Sequence, residues 1–399
     1  MIHHIAWALE IVAVVGTAAS MAYYVLCLWS AAGFLRERKA AGESALGEVE
    51  GGARPTPPVP PVSILKPLRG ADPEMYDSLR SHCLQDYPEY EIIFGVSDPA
   101  DPSIPLIERL KREFPLSAIR LMVCPRNLGS NTKVSNLAQM LLEAKYEHIL
   151  VNDSDIRLPQ DYLRRVTAPL AEPQMGLVTC LYRGIPGPTL GSRLESLGIS
   201  ADFSAGVLAA RQLEGGIHFG LGSTLVFRRR DLEAIGGFEA FVDYLADDYE
   251  IGRRFAERGL GVKLSDVVVE TFLPAYTPRQ FIDHQLRWGR TVRDSRRRGY
   301  LGLVLTFGLP WALLALLLSH GALWAWGFLA STVGLRVAVA LVVGWSVLRD
   351  HQVLPLLALL PLRDFIALLV WIASLAGHTV VWRGDSFRLR NGKLVRIGP

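Results

Sequence analysis

The sequence has few cysteines and a small net charge. It has 4 cysteines in 399 residues, and no two of them have the Cys-x-x-Cys spacing of a metal site. Disulfides belong to oxidising compartments, so we expect reduced thiols in a protein that faces the cytosol. The net charge of +3 is small for this length and gives no reason to expect a nucleic acid as partner.

Long apolar runs, by contrast, are abundant near both ends of the chain. The first covers about residues 6–34 and is followed by the basic residues Arg36, Arg38 and Lys39. A signal peptide has a shorter apolar core with basic residues in front of it. We therefore predict an N-terminal transmembrane helix over residues 1–35, followed by a cytoplasmic segment.

The middle of the chain has the pattern of an ordinary soluble domain. A Pro- and Gly-rich stretch predicts a linker over residues 36–61. Over residues 62–298, β-branched runs alternate with segments of helical spacing, which predicts an α/β domain with a mainly parallel sheet. In such sheets, ligands bind beyond the carboxyl ends of the strands. Strands are expected at residues 62–68, 91–98, 119–125, 148–155, 176–182 and 222–229.

Residues 299–382 are apolar again and predict a C-terminal bundle of membrane segments. The candidates are residues 301–320, 322–348 and 353–382. The basic tail, residues 383–399, favours the cytoplasm, whereas three complete spans would leave it on the other side, and the sequence leaves both possibilities open. Arg336 lies inside a candidate span, and because an intramembrane charge is costly we expect it to face protein or a polar cavity.

Two carboxylates follow the fourth predicted strand, in the stretch HILVNDSD that ends with Asp153 and Asp155. Side chains at i and i+2 of an extended segment point to the same side. Hard divalent cations prefer oxygen ligands, so this pair can hold Mg²⁺ or Mn²⁺ beside a diphosphate. Asp and Ser also favour turns, so a simple capped turn is the alternative.

Further acidic residues follow other predicted elements. Asp98 ends the second strand, and Asp247 and Asp248 open a segment with helical spacing. Capping of a helix N-terminus accounts for one acidic residue there, and a pair exceeds that need. A carboxylate that is not used as a cap can instead take a proton as a general base. Catalysis and capping both stay open for the pair.

Basic and aromatic residues complete the candidate set. Arg287 and Trp288 precede the C-terminal apolar region. Arginine suits bidentate phosphate contacts, and an indole beside it can pack against an acceptor. Lys133, near the start of a predicted helix, either reaches a donor phosphate or is solvated. The basic run of residues 296–298 is explained by anionic headgroups at the membrane surface.

Five stretches carry a resemblance to a known family: VSILKPLRGADPEMYDSLRSHCLQDYPEYEIIFGVSD, NTKVSNLAQ, NDSDIR, LEAIGGFEAFVDYLADDYEIGRRFAERG and HQLRWGRTVR. With them the chain resembles the ceramide glucosyltransferase-like enzymes, which have the GT-A fold. It is most similar to the bacterial branch that acts in hopanoid glycosylation.

The resemblance implies a role for each candidate residue. Asp98 would lie near the uracil and ribose, Asp153 and Asp155 would form the metal site, and Asp248, preceded by Asp247, would be the catalytic base. Arg287 and Trp288 would act in the same site, and we also assign Lys66, Lys133, Asp153 and Gln285 to the nucleotide sugar. The chain departs from the family at His284, where the closing motif has Gln or Arg, and in residues 199–207, which lack the histidine of the animal acceptor region.

The resemblance further implies an inverting, UDP-sugar-dependent glycosyltransferase in the bacterial inner membrane, multi-pass, with a cytoplasmic catalytic domain. The expected acceptor is a membrane lipid hydroxyl, as in a hopanoid polyol such as bacteriohopanetetrol, with N-acetylglucosamine as the sugar. Transfer of glucose to ceramide is the first alternative. A processive polysaccharide synthase and a non-catalytic scaffold that binds nucleotide sugars are the others.

Overall fold

A computed structural model describes residues 2–50, 59–72, 74–382 and 385–397. The α-helices are α1 (Ile2–Glu50), α2 (Met75–Cys83), α3 (Ile104–Glu113), α4 (Thr132–Glu143), α5 (Tyr162–Thr167), α6 (Leu190–Gly198), α7 (Ser204–Leu213), α8 (Arg229–Ala234), α9 (Asp247–Glu257), α10 (Pro278–Ser295), α11 (Arg297–Gly302), α12 (Gly308–Leu318), α13 (Leu323–Val339), α14 (Val353–Leu356) and α15 (Leu360–Leu375). The strands are β1 (Val62–Pro67), β2 (Tyr90–Val96), β3 (Ala118–Val123), β4 (His148–Val151), β5 (Ile156–Arg157), β6 (Met175–Ile185), β7 (Leu225–Arg228), β8 (Gly261–Phe272), β9 (Thr379–Trp382), β10 (Asp385–Arg390) and β11 (Lys393–Arg396).

The chain divides into two compact units. The helical unit consists of Met1–Glu43, Pro188–Gly215 and Ala275–Val381, and the sheet unit of Ser44–Gly187, Gly216–Pro274 and Trp382–Pro399. The helical unit thus includes residues 188–215 and 275–298, which the sequence places in the expected α/β domain. The reason is visible in α6 and α10, which pack on α15 of that unit.

The sheet unit is built on eight strands in the order β3-β2-β1-β4-β7-β6-β8-β5. β1, β2, β3 and β4 are parallel, and so are β6 and β8, whereas β7 and β5 run antiparallel to their neighbours. The prediction of a mainly parallel α/β sheet is confirmed, and each of the six predicted strands is present. The strands β5 and β8 were not predicted.

The core of the sheet unit lies where α4 and α9 pack on the sheet. Leu65 and Ile149 from the central strands meet Val134 and Leu137 of α4 in one cluster of fully buried side chains. Phe255 of α9 joins the same cluster. Burial of this apolar surface is the main contribution to the free energy that holds both helices against the sheet. The first turns of α4 and α9 carry candidate residues, so this packing also positions the site.

The helix α1 is longer than the predicted transmembrane segment. It continues to Glu50, so residues 36–50 of the predicted linker are helical in the structure. Gly42 and Gly47 are tolerated within this helix, and the Gly-Gly pair and the prolines of the stretch come only after it in the sequence. Residues 51–58, which contain much of the Pro-rich stretch, lie outside the described residues.

Three helices of the described chain are long and apolar enough to cross a membrane: His4–Ala40, Leu323–Val347 and Val353–Leu375. A further pair, Arg297–Thr306 and Gly308–Leu318, is bent by 51° at a short break and forms either a broken span or a re-entrant loop. The expected N-terminal helix and C-terminal apolar helices are therefore present.

Arg336 is paired inside the helical unit, as the cost of an intramembrane charge predicts. Its side chain is 6% exposed and pairs with Asp202 and, at 2.7 Å, with Asp364. Asp202 also pairs with Arg363 at 3.0 Å. Two arginines and two aspartates thus neutralise one another, which is the arrangement that makes buried charges tolerable.

Residues 385–397 of the basic tail belong to the sheet unit. β10 and β11 form an antiparallel hairpin. The backbone N–H of Leu394 donates to the carbonyl oxygen of Asp243 at 2.7 Å, and that of Leu245 donates to Gly392 at 3.1 Å. The tail therefore packs against the segment that leads into α9.

Candidate active site

The carboxyl-terminal edge of the parallel strands carries the first candidate residues. β4 ends at Val151, and Asn152, Asp153, Ser154 and Asp155 form the loop to β5. β2 lies two strands away and is parallel to β4, so Asp98 follows it at the same edge, roughly 10 Å from the loop by ordinary strand spacing. Asp98 is exposed, and its carboxylate caps a turn by accepting from Ala100 N at 2.8 Å.

Lys133 joins the loop after β4 to the start of α9. Its ammonium lies 2.8 Å from Asp153 Oδ1 and 3.0 Å from Asp247 Oδ2. Burial acts to lower the pKa of Lys133, but the carboxylates of Asp153, Asp247 and Asp248 outweigh it and raise that pKa above its ordinary value. Lys133 is therefore a fixed positive charge between two of the predicted acidic sites rather than a solvated lysine.

The predicted metal and base carboxylates meet at Gly222, in the segment before β7. A Cβ added to Gly222 would lie 2.9 Å from Asp153 Oδ2 and 3.3 Å from Asp248 Oδ2. Both carboxylates thus point toward the space beside Gly222 that the side chain of a larger residue would occupy. The structure therefore brings together Asp153, Asp247, Asp248 and Lys133, which come from three separate stretches of the chain.

Local structure explains how α4 and α9 present these groups. Asn131 caps α4 by accepting from Val134 N at 3.2 Å, and its amide donates to Tyr244 O at 2.7 Å in the segment before α9. The acidic residues in the first turn of α9 suit the positive end of the helix. Burial, followed by repulsion from Asp247, raises the pKa of Asp248 to about 6.

A close approach of two backbones holds the start of α9. An added Cβ at Gly252 would lie 2.6 Å from Phe219 Cα, so only glycine allows α9 to pack on the segment before Gly222. The N–H of Gly220 donates to the carbonyl oxygen of Asp248 at 3.2 Å. The contact fixes Asp248 relative to Gly222.

Lys66 of β1 supports the Asp153–Asp155 loop from beneath. Its side chain is fully buried, and its ammonium donates to the carbonyl oxygen of Asp153 at 2.5 Å. Burial lowers the pKa of Lys66, and the nearby carboxylates of Asp155 and Asp153 oppose that change. Asp155 accepts from Thr271 Oγ1 at 2.6 Å, and its pKa is raised by burial and by repulsion from Asp153.

A buried polar network under the same loop was not foreseen. Asn152 donates to Tyr162 OH at 3.0 Å and to Ser223 O at 2.6 Å, while its Oδ1 lies 3.2 Å from His82 Nε2. Burial, and after it the charge of Lys66, lowers the pKa of His82. The one signal for this network in the sequence is the position of Asn152 directly before Asp153.

Asp153 and Asp155 are the candidate ligands of a divalent cation. Among the described residues, no three His, Cys, Asp or Glu side chains are grouped closely enough to hold a metal ion by themselves. Mg²⁺ is usually held by one or two carboxylates together with substrate phosphates, so a pair is sufficient. Asp153 and Asp155 offer oxygen ligands whose mutual repulsion a cation would relieve, and they fit such an ion.

The remaining candidates, Gln285, Arg287 and Trp288, lie on α10 of the helical unit. A capping box of Thr277 and Gln280 begins this helix, with Pro278 in its first turn. Gln285 is buried and pairs with Glu195 of α6 and Arg363 of α15. The ring of Trp288 packs edge-on against Phe203 at 5.6 Å between centroids.

Comparison with known proteins identifies the family. The sequence profile of glycosyl transferase family 21 matches residues 12–395. The chain belongs to this family. Ceramide glucosyltransferase 1 of Caenorhabditis elegans is 24% identical over 360 residues, which cover 86% of this chain and 74% of that protein. The ceramide glucosyltransferase of Komagataella phaffii is 40% identical over 111 residues, or 26% of this chain and 22% of that one.

A solved structure supports the fold of this family 21 glycosyltransferase. A mannosyltransferase from Pyrobaculum calidifontis, solved with GDP-mannose and Mn²⁺, superposes with a TM-score of 0.53 at 19% identity. The match covers 92% of this chain and 99% of that one. The GT-A-type fold expected from the sequence is therefore confirmed.

Proposed function

We propose that this glycosyltransferase moves a hexose from a UDP-sugar to the hydroxyl of a membrane lipid by a single inverting displacement. The observation that carries the proposal is the approach of Asp153 and Asp248 to Gly222. The predicted site of the donor diphosphate and the predicted base are thereby adjacent. The apolar helices of the chain support a lipid as acceptor.

Asp248 is the proposed base. Its raised pKa, about 6, leaves the carboxylate ionised at neutral pH and makes it a stronger proton acceptor than an ordinary aspartate. Attack of the acceptor oxygen on the anomeric carbon forms the new glycosidic bond and breaks the bond to UDP. The hydroxyl proton passes to Asp248, and inversion follows from the single displacement.

Several groups would supply positive charge to stabilise the departing diphosphate. A divalent cation, Mg²⁺ or Mn²⁺, held by Asp153 and Asp155, would supply positive charge for the departing diphosphate. Lys133 adds a fixed positive charge beside Asp153. From the family resemblance we assign Arg287 to the same diphosphate, Trp288 to the acceptor, Asp98 to the uracil and ribose, and Gln285 to the donor. Lys66 acts by holding the main chain of Asp153.

For the acceptor we propose a hopanoid polyol such as bacteriohopanetetrol, with N-acetylglucosamine as the sugar, in the bacterial inner membrane with the sheet unit in the cytoplasm. The sequence motifs support this choice, and so does the absence of a histidine from residues 199–207. The second candidate is transfer of glucose to ceramide, which is favoured by the curated relatives named ceramide glucosyltransferase.

Lipid analysis of a host that makes the acceptors tests this function. We expect a new glycolipid with wild-type protein and none with Asp248→Asn, while Glu257→Gln, an exposed change on the same helix, keeps the product. Purified protein is then assayed with UDP-N-acetylglucosamine and UDP-glucose against bacteriohopanetetrol and ceramide. Glucosylceramide without hopanoid product would overturn the proposed acceptor. Label from the donor in a polymer, or equal products from wild type and Asp248→Asn, would overturn the lipid transferase itself.

The proposed metal has a separate test. Titration of Mn²⁺ into purified protein with UDP should raise the unfolding temperature of wild type. Asp153→Asn and Asp155→Asn should weaken that effect, and Asp86→Asn, an exposed acidic residue, should leave it unchanged. Full activity after chelation and dialysis would exclude a cation from the mechanism.

A further inference from the structure

His284 departs from the family motif and contacts Arg287 one turn further along α10. The Nδ1 atom of His284 lies 3.0 Å from a terminal nitrogen of Arg287, as expected for side chains at i and i+3. Guanidinium groups have only donors, so Nδ1 must be the unprotonated, accepting nitrogen of the ring. The proton of the neutral imidazole is therefore on Nε2.

A buried carboxylate faces that Nε2 atom. Glu195 of α6 is 4% exposed, and its Oε1 lies 3.3 Å from His284 Nε2. Its other oxygen, Oε2, accepts from the amide of Gln285, whose carbonyl oxygen in turn accepts from Arg363 at 2.7 Å. An ionised carboxylate beside Nε2 favours the tautomer in which Nε2 carries the proton, which is the one that Arg287 requires.

We propose that Glu195 and His284 are positioning residues that hold the guanidinium of Arg287 in one orientation. Glu195 fixes the tautomer of His284, and the free Nδ1 of His284 accepts from Arg287. The inference rests on the proposed role of Arg287 at the leaving diphosphate. It gives Arg287 an acceptor at a position where the family has Gln or Arg, of which only Gln could accept.

Variants at position 284 separate this role from simple packing. In His284→Gln the amide oxygen can accept from Arg287 and the amide N–H can donate to Glu195, so we expect activity close to wild type. In His284→Leu the acceptor is lost, and kcat/KM for the UDP-sugar should fall about tenfold or more. Asp283→Asn, an exposed change on the same helix, is the control and should leave kcat/KM unchanged.

Rescue by His284→Gln is a readout that packing alone would not give, because leucine and glutamine are similar in size and only the amide offers an acceptor. A folded but inactive His284→Gln, or a fully active His284→Leu, would each overturn the proposal.

The part played by Glu195 is tested by a double-mutant cycle. Glu195→Gln should lower kcat/KM in the wild-type background, because an amide can turn its N–H toward Nε2 and favour the wrong tautomer. In the His284→Gln background the same change should cost much less, since no tautomer remains to be fixed. Equal losses in both backgrounds would refute the proposed role. If wild type shows no transfer at all, the proposed function has failed, whereas an active wild type with these contrary results refutes only the present inference.

Discussion

Lys66 and Asp153 are joined by a hydrogen bond from a fully buried ammonium group to a main-chain carbonyl oxygen, at 2.5 Å. A lysine is seldom fully buried unless it is paired. Here it lies under the loop that carries Asp153 and Asp155, and the carboxylates above oppose the change in its pKa that burial causes. The bond therefore links the centre of the sheet to the geometry of the candidate metal ligands.

Replacement of Lys66 should weaken metal binding and activity, although Lys66 itself is not one of the proposed metal ligands. In Lys66→Met the carbonyl of Asp153 loses its donor and Asp155 loses a nearby positive charge. Changes of this kind behind metal ligands typically cost 10–100-fold in affinity or activity, and we expect a loss of that order. Initial rates over a Mn²⁺ titration measure it, with the exposed Lys145→Met as control. Wild-type rates and metal dependence in Lys66→Met would show that the loop needs no such support.

The architecture around this bond was largely predictable from the sequence. Buried strands that end in Asp98 and Asp153 indicate one sheet edge, because parallel strands end on the same side. The first turn of α9 was likewise signalled by paired acidic residues before a helical pattern. The direction of the Lys66 side chain was not predictable, since β1 is buried on both faces and periodicity there does not distinguish them.

Residues 188–215 and 275–298 show where sequence reasoning stops. Their helical spacing indicates an apolar face, but it does not say which elements cover that face. In the structure α6 and α10 bring Glu195 to His284, which are 89 positions apart, and no local pattern pairs them. The proton on Nε2 of His284 also depends on this tertiary contact, so no sequence pattern indicates it.

Asp248 should reduce the stability of the fold at neutral pH. Burial and Asp247 raise its pKa in the folded state to about 6, from the ordinary 3.8. The folded state therefore binds more protons than the unfolded chain between about pH 4 and 6, and the stability that this provides is lost as the pH rises through that range.

Asp248→Asn removes this titration. At pH 7.5 we expect the unfolding temperature of Asp248→Asn to exceed that of wild type by roughly 2–4 °C, although the variant is inactive. At pH 4.5 the difference should shrink, because wild-type Asp248 is then mostly protonated. Thermal unfolding in detergent at the two pH values measures both. A difference that is independent of pH would contradict the raised pKa.

Gly222 should tolerate no side chain. A Cβ there would lie 2.9 Å from Asp153 Oδ2 and 3.3 Å from Asp248 Oδ2, so Gly222→Ala must displace at least one carboxylate. Because small displacements of reacting groups are costly, we expect kcat to fall roughly 10- to 100-fold while the protein stays folded. Gly216→Ala, where an added Cβ meets nothing within 4 Å, is the matched control. A fully active Gly222→Ala would place the reacting groups elsewhere.

The hairpin of β10 and β11 limits how often the chain can cross the membrane. Leu394 N donates to Asp243 O within the sheet unit, so residues before and after the C-terminal apolar segments lie on one side of the bilayer. The number of crossings between them must be even. Leu323–Val347 and Val353–Leu375 provide two. We therefore expect the bent pair Arg297–Thr306 and Gly308–Leu318 to be re-entrant.

The length of α12 agrees with a re-entrant loop. Its 11 residues extend about 16 Å, roughly half of a bilayer core. Single cysteines with a membrane-impermeant maleimide test the topology, and the four native cysteines are buried. With a cytoplasmic sheet unit, His351→Cys should react in intact cells, whereas Ser319→Cys and Ser386→Cys should react only after the membrane is opened. Reaction at Ser319→Cys but not at His351→Cys would make the bent pair a true span, and reaction at Ser386→Cys would refute the even number of crossings.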